Sequence, residues 1–297
     1  MRRAPPAPKT PRPRRDAADR RPRRRTASEL ERAAAGRPPP SPAPLPASEP
    51  LAMLVRRGLH PRPSPPDLPF PADLSGPAAE RIAERLSHYA FRLFLRGVIL
   101  ARGPFRAEET TRYVTAAQAG RMAVELVRLG LAEPVGDGRY RLRHPARTFG
   151  GTLEWWIGRE LARRLAVQVA TGVRSGAPGV GGDLDVVASV EGKLVYVELK
   201  SSPPKHVSRE ELRAFVARVR ALRPHLAILA VDTALRLGDK VLPDLAAAVD
   251  GAAPVRLGRE NYRVAPRLYA VNARQDLVEN LCVVIADGLR ELAPDAS

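Results

Sequence analysis

The sequence predicts an α/β domain in the C-terminal half of the chain, and three stretches predict it. Gly182–Ser202 (GDLDVVASVEGKLVYVELKSS) alternates apolar residues on both sides of Glu191-Gly192, the pattern of two strands joined by a tight turn. Leu226–Val231 is an apolar run of strand length that ends in Asp232. Helical spacing marks Thr152–Ala170, with Ile157, Leu161 and Leu165 as its stripe, and the stretch from Ser208 to Leu222, with Leu212, Phe215, Val216 and Val219. With a first strand within Val167–Val173, the order is helix, three strands, helix, strand, or αβββαβ.

Composition sets the frame. A chain of 297 residues allows one or two domains. The net charge of +17 points to a polyanionic partner, most simply nucleic acid, with an acidic membrane surface as runner-up. The single cysteine, Cys282, excludes an internal disulfide and a cysteine zinc cluster. The N-terminus has arginines but no apolar signal region, and no stretch approaches the ~18–20 apolar residues of a membrane span. The expectation is a cytoplasmic protein with no membrane partner.

Residues 1–76 hold about three fifths of the prolines, and the first 25 residues carry 11 Arg or Lys against 2 Asp. Such a segment buries too little apolar surface to offset its ordering entropy. It reads as a disordered basic tail, either an arm that binds phosphates or a solvated segment with biased composition. Leu51–Leu59 has the pattern of one short helix.

Residues 77–145 form a second region. Ala78–Ala101 places Ile82, Leu86, Ala90, Leu93 and Phe94 at helical spacing, and a short helix follows near Ala107–Tyr113. Thr115 and Gln118 have the spacing of a capping box and open a helix that Gly130 stops. Leu131–Val135 and Arg139–Arg143 flank Gly136-Asp137-Gly138, a hairpin signal. Three helices and a hairpin resemble a winged helix-turn-helix domain. That resemblance implies Gln118 and Arg121 at base edges and Arg139 and Arg141 at phosphates. The recognition-helix region is poor in basic residues, and protein binding is the other use of such modules.

The residues that point to chemistry lie in the central hairpin. If Glu191-Gly192 is its loop, Val190 faces Lys193, Asp185 faces Glu198 and Asp183 faces Lys200. Glu198 and Lys200 share a face because side chains alternate. Clustered carboxylates repel, and a hard divalent cation relieves that cost. Asp185 with Glu198-Leu199-Lys200 resembles the D…ExK signature of the PD-(D/E)XK, or restriction-endonuclease-like, nuclease superfamily. The resemblance covers roughly residues 149–231. It implies Asp185, Glu198 and the Leu199 carbonyl as ligands of Mg²⁺ or Mn²⁺, Lys200 beside the attacking water, and Glu154 completing the site from the first helix. Read without the resemblance, Glu154 complements a helix dipole; Glu160 is the weaker alternative for the metal role. Asp183 is a further candidate ligand.

Ser175–Gly182 is a Gly-rich loop without the Lys and Ser/Thr of a phosphate-binding loop. Lys205 and His206 follow the hairpin, as phosphate contacts or plain surface residues. Trp155 and Trp156 read as core. Asp239–Val249 and Gln275–Leu292 are predicted helices and Leu268–Asn272 a strand. The sequence therefore leads to a metal-dependent nuclease acting on nucleic acid, most simply DNA, in residues 146–297. The alternative is a non-catalytic DNA-binding protein on an inert nuclease fold, and a second copy of the chain is an admissible partner.

Overall fold

Strands that are apolar on both faces need cover on both faces, and the order of elements supplies it. The computed structural model describes residues 48–176 and 181–293, all within one compact unit, Leu45–Ser297. The basic arm before residue 48 lies outside the described residues, as do residues 177–180 of the Gly-rich loop. Helix α1 (Glu49–Arg56) and strand β1 (Pro61–Pro63) come first. The next region holds α2 (Gly76–Ser87), α3 (Tyr89–Leu100), β2 (Phe105–Arg106), α4 (Ala116–Arg128), β3 (Ala132–Gly136) and β4 (Arg139–Leu142). Then come α5 (Gly150–Leu165), β5 (Gln168–Ser175), β6 (Asp183–Val190), β7 (Lys193–Lys200), α6 (Arg209–Leu222) and β8 (Leu226–Val231). The chain closes with α7 (Val241–Ala248), β9 (Val255–Gly258), β10 (Asn261–Ala265), β11 (Leu268–Asn272) and α8 (Leu277–Glu291).

Eight strands form one mixed sheet in the order β1-β5-β6-β7-β8-β11-β10-β9, and β2-β4-β3 form a small second sheet. In the large sheet β7–β8 and β8–β11 are parallel and the other pairs antiparallel. A parallel neighbour requires a crossover, and α6 provides it between β7 and β8. The β6–β7 hairpin turns through Glu191 (φ 49°) and Gly192 (φ 70°). Two residues at positive φ suit the right-handed twist of the flanking strands. They set the expected register, from Val190↔Lys193 through Val186↔Val197.

One core joins α2–α4, α5 and α8 to one face of the sheet through Phe94, Leu126, Trp156, Ile157, Val197 and Ile285. A second core joins α1, α6 and α7 to the other face through Leu54, Tyr196, Phe215, Leu229 and Leu245. Among the described residues no helix is long and apolar enough to cross a membrane.

Four expectations change. The helix expected over Ala78–Ala101 is two helices, broken at His88 (φ −82°, ψ 114°). The break frees the carbonyls of Leu86 and Ser87, and Arg92 Nη1 donates to both, at 2.6 and 3.0 Å. The helix expected to reach Ala170 stops at Leu165, because Ala166 adopts φ 52° and turns the chain into β5. Residues 48–68, read from composition as tail apart from a short helix at Leu51–Leu59, are folded: that helix is present as α1, β1 is added, Met53 and Leu54 are buried, and Asp67 accepts hydrogen bonds from the Arg147 and Thr148 amides. Strands β9 and β10 are additions to the expected set.

Asp232, at the end of β8, is fully buried and takes Arg92 Nε at 3.0 Å and Arg96 Nη2 at 2.9 Å. The Arg92 guanidinium lies over the Trp156 ring, 4.6 Å from its centroid. The Asp232 amide donates to the Lys200 carbonyl at 2.7 Å. Removing one partner of a buried pair strands the other charge. Asp232→Ala should therefore cost ~3–5 kcal/mol of folding stability in urea unfolding. A loss below ~1 kcal/mol, the scale of an exposed pair, would show that the Arg92 and Arg96 charges find water instead.

Candidate active site

The β6–β7 ladder runs to Val186↔Val197 and ends there. Asp185 lies just beyond, and its Oδ2 accepts the Leu199 amide at 2.7 Å, so the carboxylate takes over a backbone donor that the ladder leaves. Asp183 does not meet Lys200. Its oxygens take Arg174 Nε at 3.1 Å and Ser64 Oγ at 2.7 Å. The β5–β6 register pairs Val173 with Leu184 and Thr171 with Val186, which sets Gly172 across from Asp185. Gly172 has φ 56°, and a Cβ there would stand 3.4 Å from Glu154 Oε2. Glycine is called for by this left-handed backbone, and the Glu154 carboxyl packs against it. Gly158, one turn on in α5, lets the helix close on β5; a Cβ there would meet the Thr171 methyl at 2.5 Å.

Glu198 is buried and engaged on both oxygens. Oε1 takes Lys200 Nζ at 3.1 Å and Arg218 Nη2 at 2.7 Å, and Oε2 accepts the Tyr196 hydroxyl. Arg218 Nε donates to that same hydroxyl oxygen at 3.0 Å and Nη1 to the Gly181 carbonyl at 3.3 Å. Lys200 Nζ also meets Glu211 Oε1 at 3.1 Å. Glu211 performs two tasks, because its other oxygen caps α6 by accepting the Ser208 amide at 2.8 Å. Tyr196, Glu211, Arg218 and Ser64 are site residues the sequence reading missed. Arg218 carries a local signal: it follows Glu211 by seven residues, on the same face of α6.

Burial raises the Glu154 carboxyl from 4.5 to about 7, helped by the charges of Asp183, Glu198 and Asp67. Burial also lifts Asp185 well above the carboxylate range, with Glu198 and Glu154 adding to it and the Leu199 amide pulling the other way. Burial works against the Lys200 ammonium, yet Glu198 and then Glu211 outweigh it and the group stays above the usual lysine range. Oxygen donors at Asp185, Glu154 and the Leu199 backbone suit a hard divalent cation. Glu198 as it stands is closed to one by three donors, and among the described residues no three His, Cys, Asp or Glu side chains group as a metal centre.

The other predicted contact residues sit apart from this site. Gln118 Oε1 accepts the Thr115 amide at 2.8 Å and completes the cap of α4. Arg121 lines a cleft of about 680 Å³ between α2 and α4, with Arg85, His88 and Glu125. Arg139 pairs with Asp137 at 3.3 Å, and Arg141 is exposed, opposite Glu133 in the small sheet. Lys205 is exposed in a short 3₁₀ turn whose carbonyl takes Lys240 Nζ at 2.9 Å. A second cleft, about 610 Å³, adjoins Glu154 and Asp183 and is walled by Ser64, Asp67, Trp155 and Arg174.

No family model and no curated protein matches the chain. Among solved structures it is similar to protein VC1899 from Vibrio cholerae, with 16% identity over 80% of this chain and 61% of that one and a TM-score of 0.48. It is also similar to Can2 from Sulfobacillus thermosulfidooxidans in complex with cyclic tetra-adenylate, with 13% identity over 78% of this chain and 59% of that one and a TM-score of 0.45. The chain spans about three fifths of the length of these two proteins.

The Glu154 shift has a sign that stability measurements in EDTA can read. The unfolded chain loses this proton near 4.5 and the folded chain near 7. Between those values the folded protein holds more protons, so stability falls as pH rises through the window and stays lower above it. Glu154→Gln removes the dependence. Urea unfolding should find the variant more stable than wild type at about pH 8, by up to ~3 kcal/mol, and equal to it at about pH 4. Equal stability at the higher pH would mean that the ionised carboxylate is well compensated.

Proposed function

We propose that the chain is a metal-dependent nuclease of the PD-(D/E)XK kind, with αβββαβ elements α5, β5–β7, α6 and β8 as its core. In this reading α2–α4 with β2–β4 are a winged-helix module. The observation that carries the reading is that Asp185, Glu198 and Lys200 stand at the open end of one hairpin with Glu154 of α5 within reach of their charges. Two of these carboxyls are held far above their ordinary ionisation range. Such a cluster is costly in a purely structural role, and cation binding offsets the cost. The net charge of +17 supports a phosphate-rich substrate, with DNA as the simplest choice, and a cytoplasmic setting goes with it.

Mg²⁺ or Mn²⁺ would be held by Asp185, Glu154 and the Leu199 carbonyl, which points toward β6 as its amide does. When bound, such a cation would supply positive charge beside the phosphate and would lower the pKa of water. Lys200, set between Glu198 and Glu211, aims its ammonium at the attacking water or at a phosphate oxygen. Arg218 and Tyr196 keep Glu198 in place, so Lys200 has a fixed anchor. In the module, Gln118 has its amide nitrogen left to donate to a base edge, beside Arg121; Arg139, Arg141 and Lys205 meet phosphates.

One observation favours a second reading, a nucleic-acid-binding protein on an inert nuclease fold: Glu198 is already neutralised by Lys200 and Arg218. Cleavage assays separate the two. Wild type, Lys200→Ala and Asp185→Asn are incubated with plasmid, linear, single-stranded and branched DNA and with RNA, in Mg²⁺, Mn²⁺ or EDTA. The nuclease reading expects metal-dependent cutting that falls about 100-fold or more in both variants. Undiminished cutting in both sinks the assignment. Salt-dependent binding without cutting selects the second reading.

A further inference from the structure

Among the described residues Tyr113 is the one aromatic side chain in the class of large, exposed apolar groups, with 60% of its surface accessible. It lies in the connection between α3 and α4, two residues before the Thr115 cap. This connection is held firmly. Thr110 Oγ1 donates to the Ala107 carbonyl at 2.8 Å, and Thr111 Oγ1 accepts the Tyr113 amide at 3.3 Å. Gly97 of α3 allows the Thr110 carbonyl to lie where a side chain would otherwise be. The ring is thus presented by a fixed turn, and presenting it costs little entropy on binding.

The surroundings of the ring are basic. The Arg112 guanidinium stands 5.3 Å from the ring centroid, and its Nη2 donates to the Tyr113 hydroxyl at 3.4 Å. With a guanidinium over one face, the exposed surface falls to the other face and the edge. The Arg112 hydrogen bond and charge pull the phenol below its usual range, and the charges of Lys205 and Arg96 pull it further. Lys205 belongs to the loop that leaves β7, five residues after Lys200. The connection therefore presents an open aromatic ring beside the Arg112 guanidinium, and Lys205, on the loop that leaves β7, is near enough for its charge to act on the phenol.

We propose that Tyr113, Arg112 and Lys205 form a stacking platform for a single-stranded or splayed segment of nucleic acid, with one base on the Tyr113 ring and the adjoining phosphates on Arg112 and Lys205. Bases inside a duplex have their faces covered, so an open ring selects an unpaired base. The neighbouring guanidinium strengthens the ring as a platform. This inference rests on the nucleic-acid reading and adds the strand form that the junction receives.

The test is binding in EDTA, where turnover does not interfere, read by fluorescence anisotropy. The probes are a short oligo(dT), the same backbone with abasic residues, and a duplex of equal length. Tyr113→Ala should bind oligo(dT) about 10-fold or more weakly, the scale of one lost base stack, while Tyr113→Phe stays close to wild type. The abasic strand should bind wild type as weakly as oligo(dT) binds Tyr113→Ala, and duplex affinity should not change with the substitution. Arg112→Ala and Lys205→Ala should each lower the salt dependence by about one phosphate contact. Thermal unfolding checks that the exposed substitutions leave the fold intact. Wild-type affinity for oligo(dT) in Tyr113→Ala, equal losses on duplex and single strand, or no wild-type binding of oligo(dT) overturns the platform. Metal-dependent cutting by a Tyr113→Ala protein with unimpaired single-strand affinity would leave the nuclease reading standing without it. The predicted binding losses in a protein that never cuts would support the platform and remove the nuclease.

Discussion

A single carboxylate ties the two halves of the described chain together. Asp232 ends a strand in the middle of the large sheet, yet its ionic partners, Arg92 and Arg96, sit on α3 in the preceding region. Burying three charges is expensive, and the cost is met by close geometry and by extra contacts. Arg92 satisfies two carbonyls at the broken helix and stacks on Trp156, while Arg96 lies over Phe149. The same residue reaches the candidate site through its backbone, since its amide holds the Lys200 carbonyl. The carboxylate thus adds a buried ionic link to the apolar core that the module and the sheet share, and the backbone of the same residue pairs with the strand that carries Lys200.

The site itself is built by spreading strands apart. A ladder that continued past Val186 and Val197 would have used the Leu199 amide for backbone pairing. It ends, and the Asp185 carboxylate fills the place. A second carboxyl, from the helix above, packs against Gly172, where the backbone turns through positive φ. Cationic side chains balance only part of this charge, and they do so unevenly. Glu198 receives two cations, whereas Glu154 is left with burial and repulsion, and Asp185 has only the Leu199 amide and the more distant Lys200 charge to set against them. This unevenness makes the hairpin end chemically distinctive rather than a patch of surface charge.

The hairpin was legible in the sequence because its information is local. A two-residue turn fixes the register, and alternation fixes the faces, so Asp185, Glu198 and Lys200 could be brought together by counting. The partners of those residues were not legible in the same way. Arg218 and Glu211 arrive from a helix, and Arg92 meets Asp232 across 140 positions. The break at His88 was hidden because apolar spacing runs unbroken through it, and the Arg92 side chain that satisfies the freed carbonyls is itself held by a partner far away in sequence. Beyond the short helix at Leu51–Leu59, residues 48–68 were obscured by composition, since proline enrichment reads as disorder even where a short segment finds an edge to lie on.

That edge has a property of its own. β1 is Pro61-Arg62-Pro63, paired to β5 as the last strand of the sheet. The Ser64 amide points inward, to the Gly172 carbonyl, so by alternation Arg62 also faces β5 and positions 61 and 63 face away. Both outward positions are proline, which has no amide hydrogen to offer. Where β1 lies, the sheet thus ends in a border with no outward amide to offer another strand, a poor template for stacking side by side with further chains, made by the same residues that made the segment look unstructured.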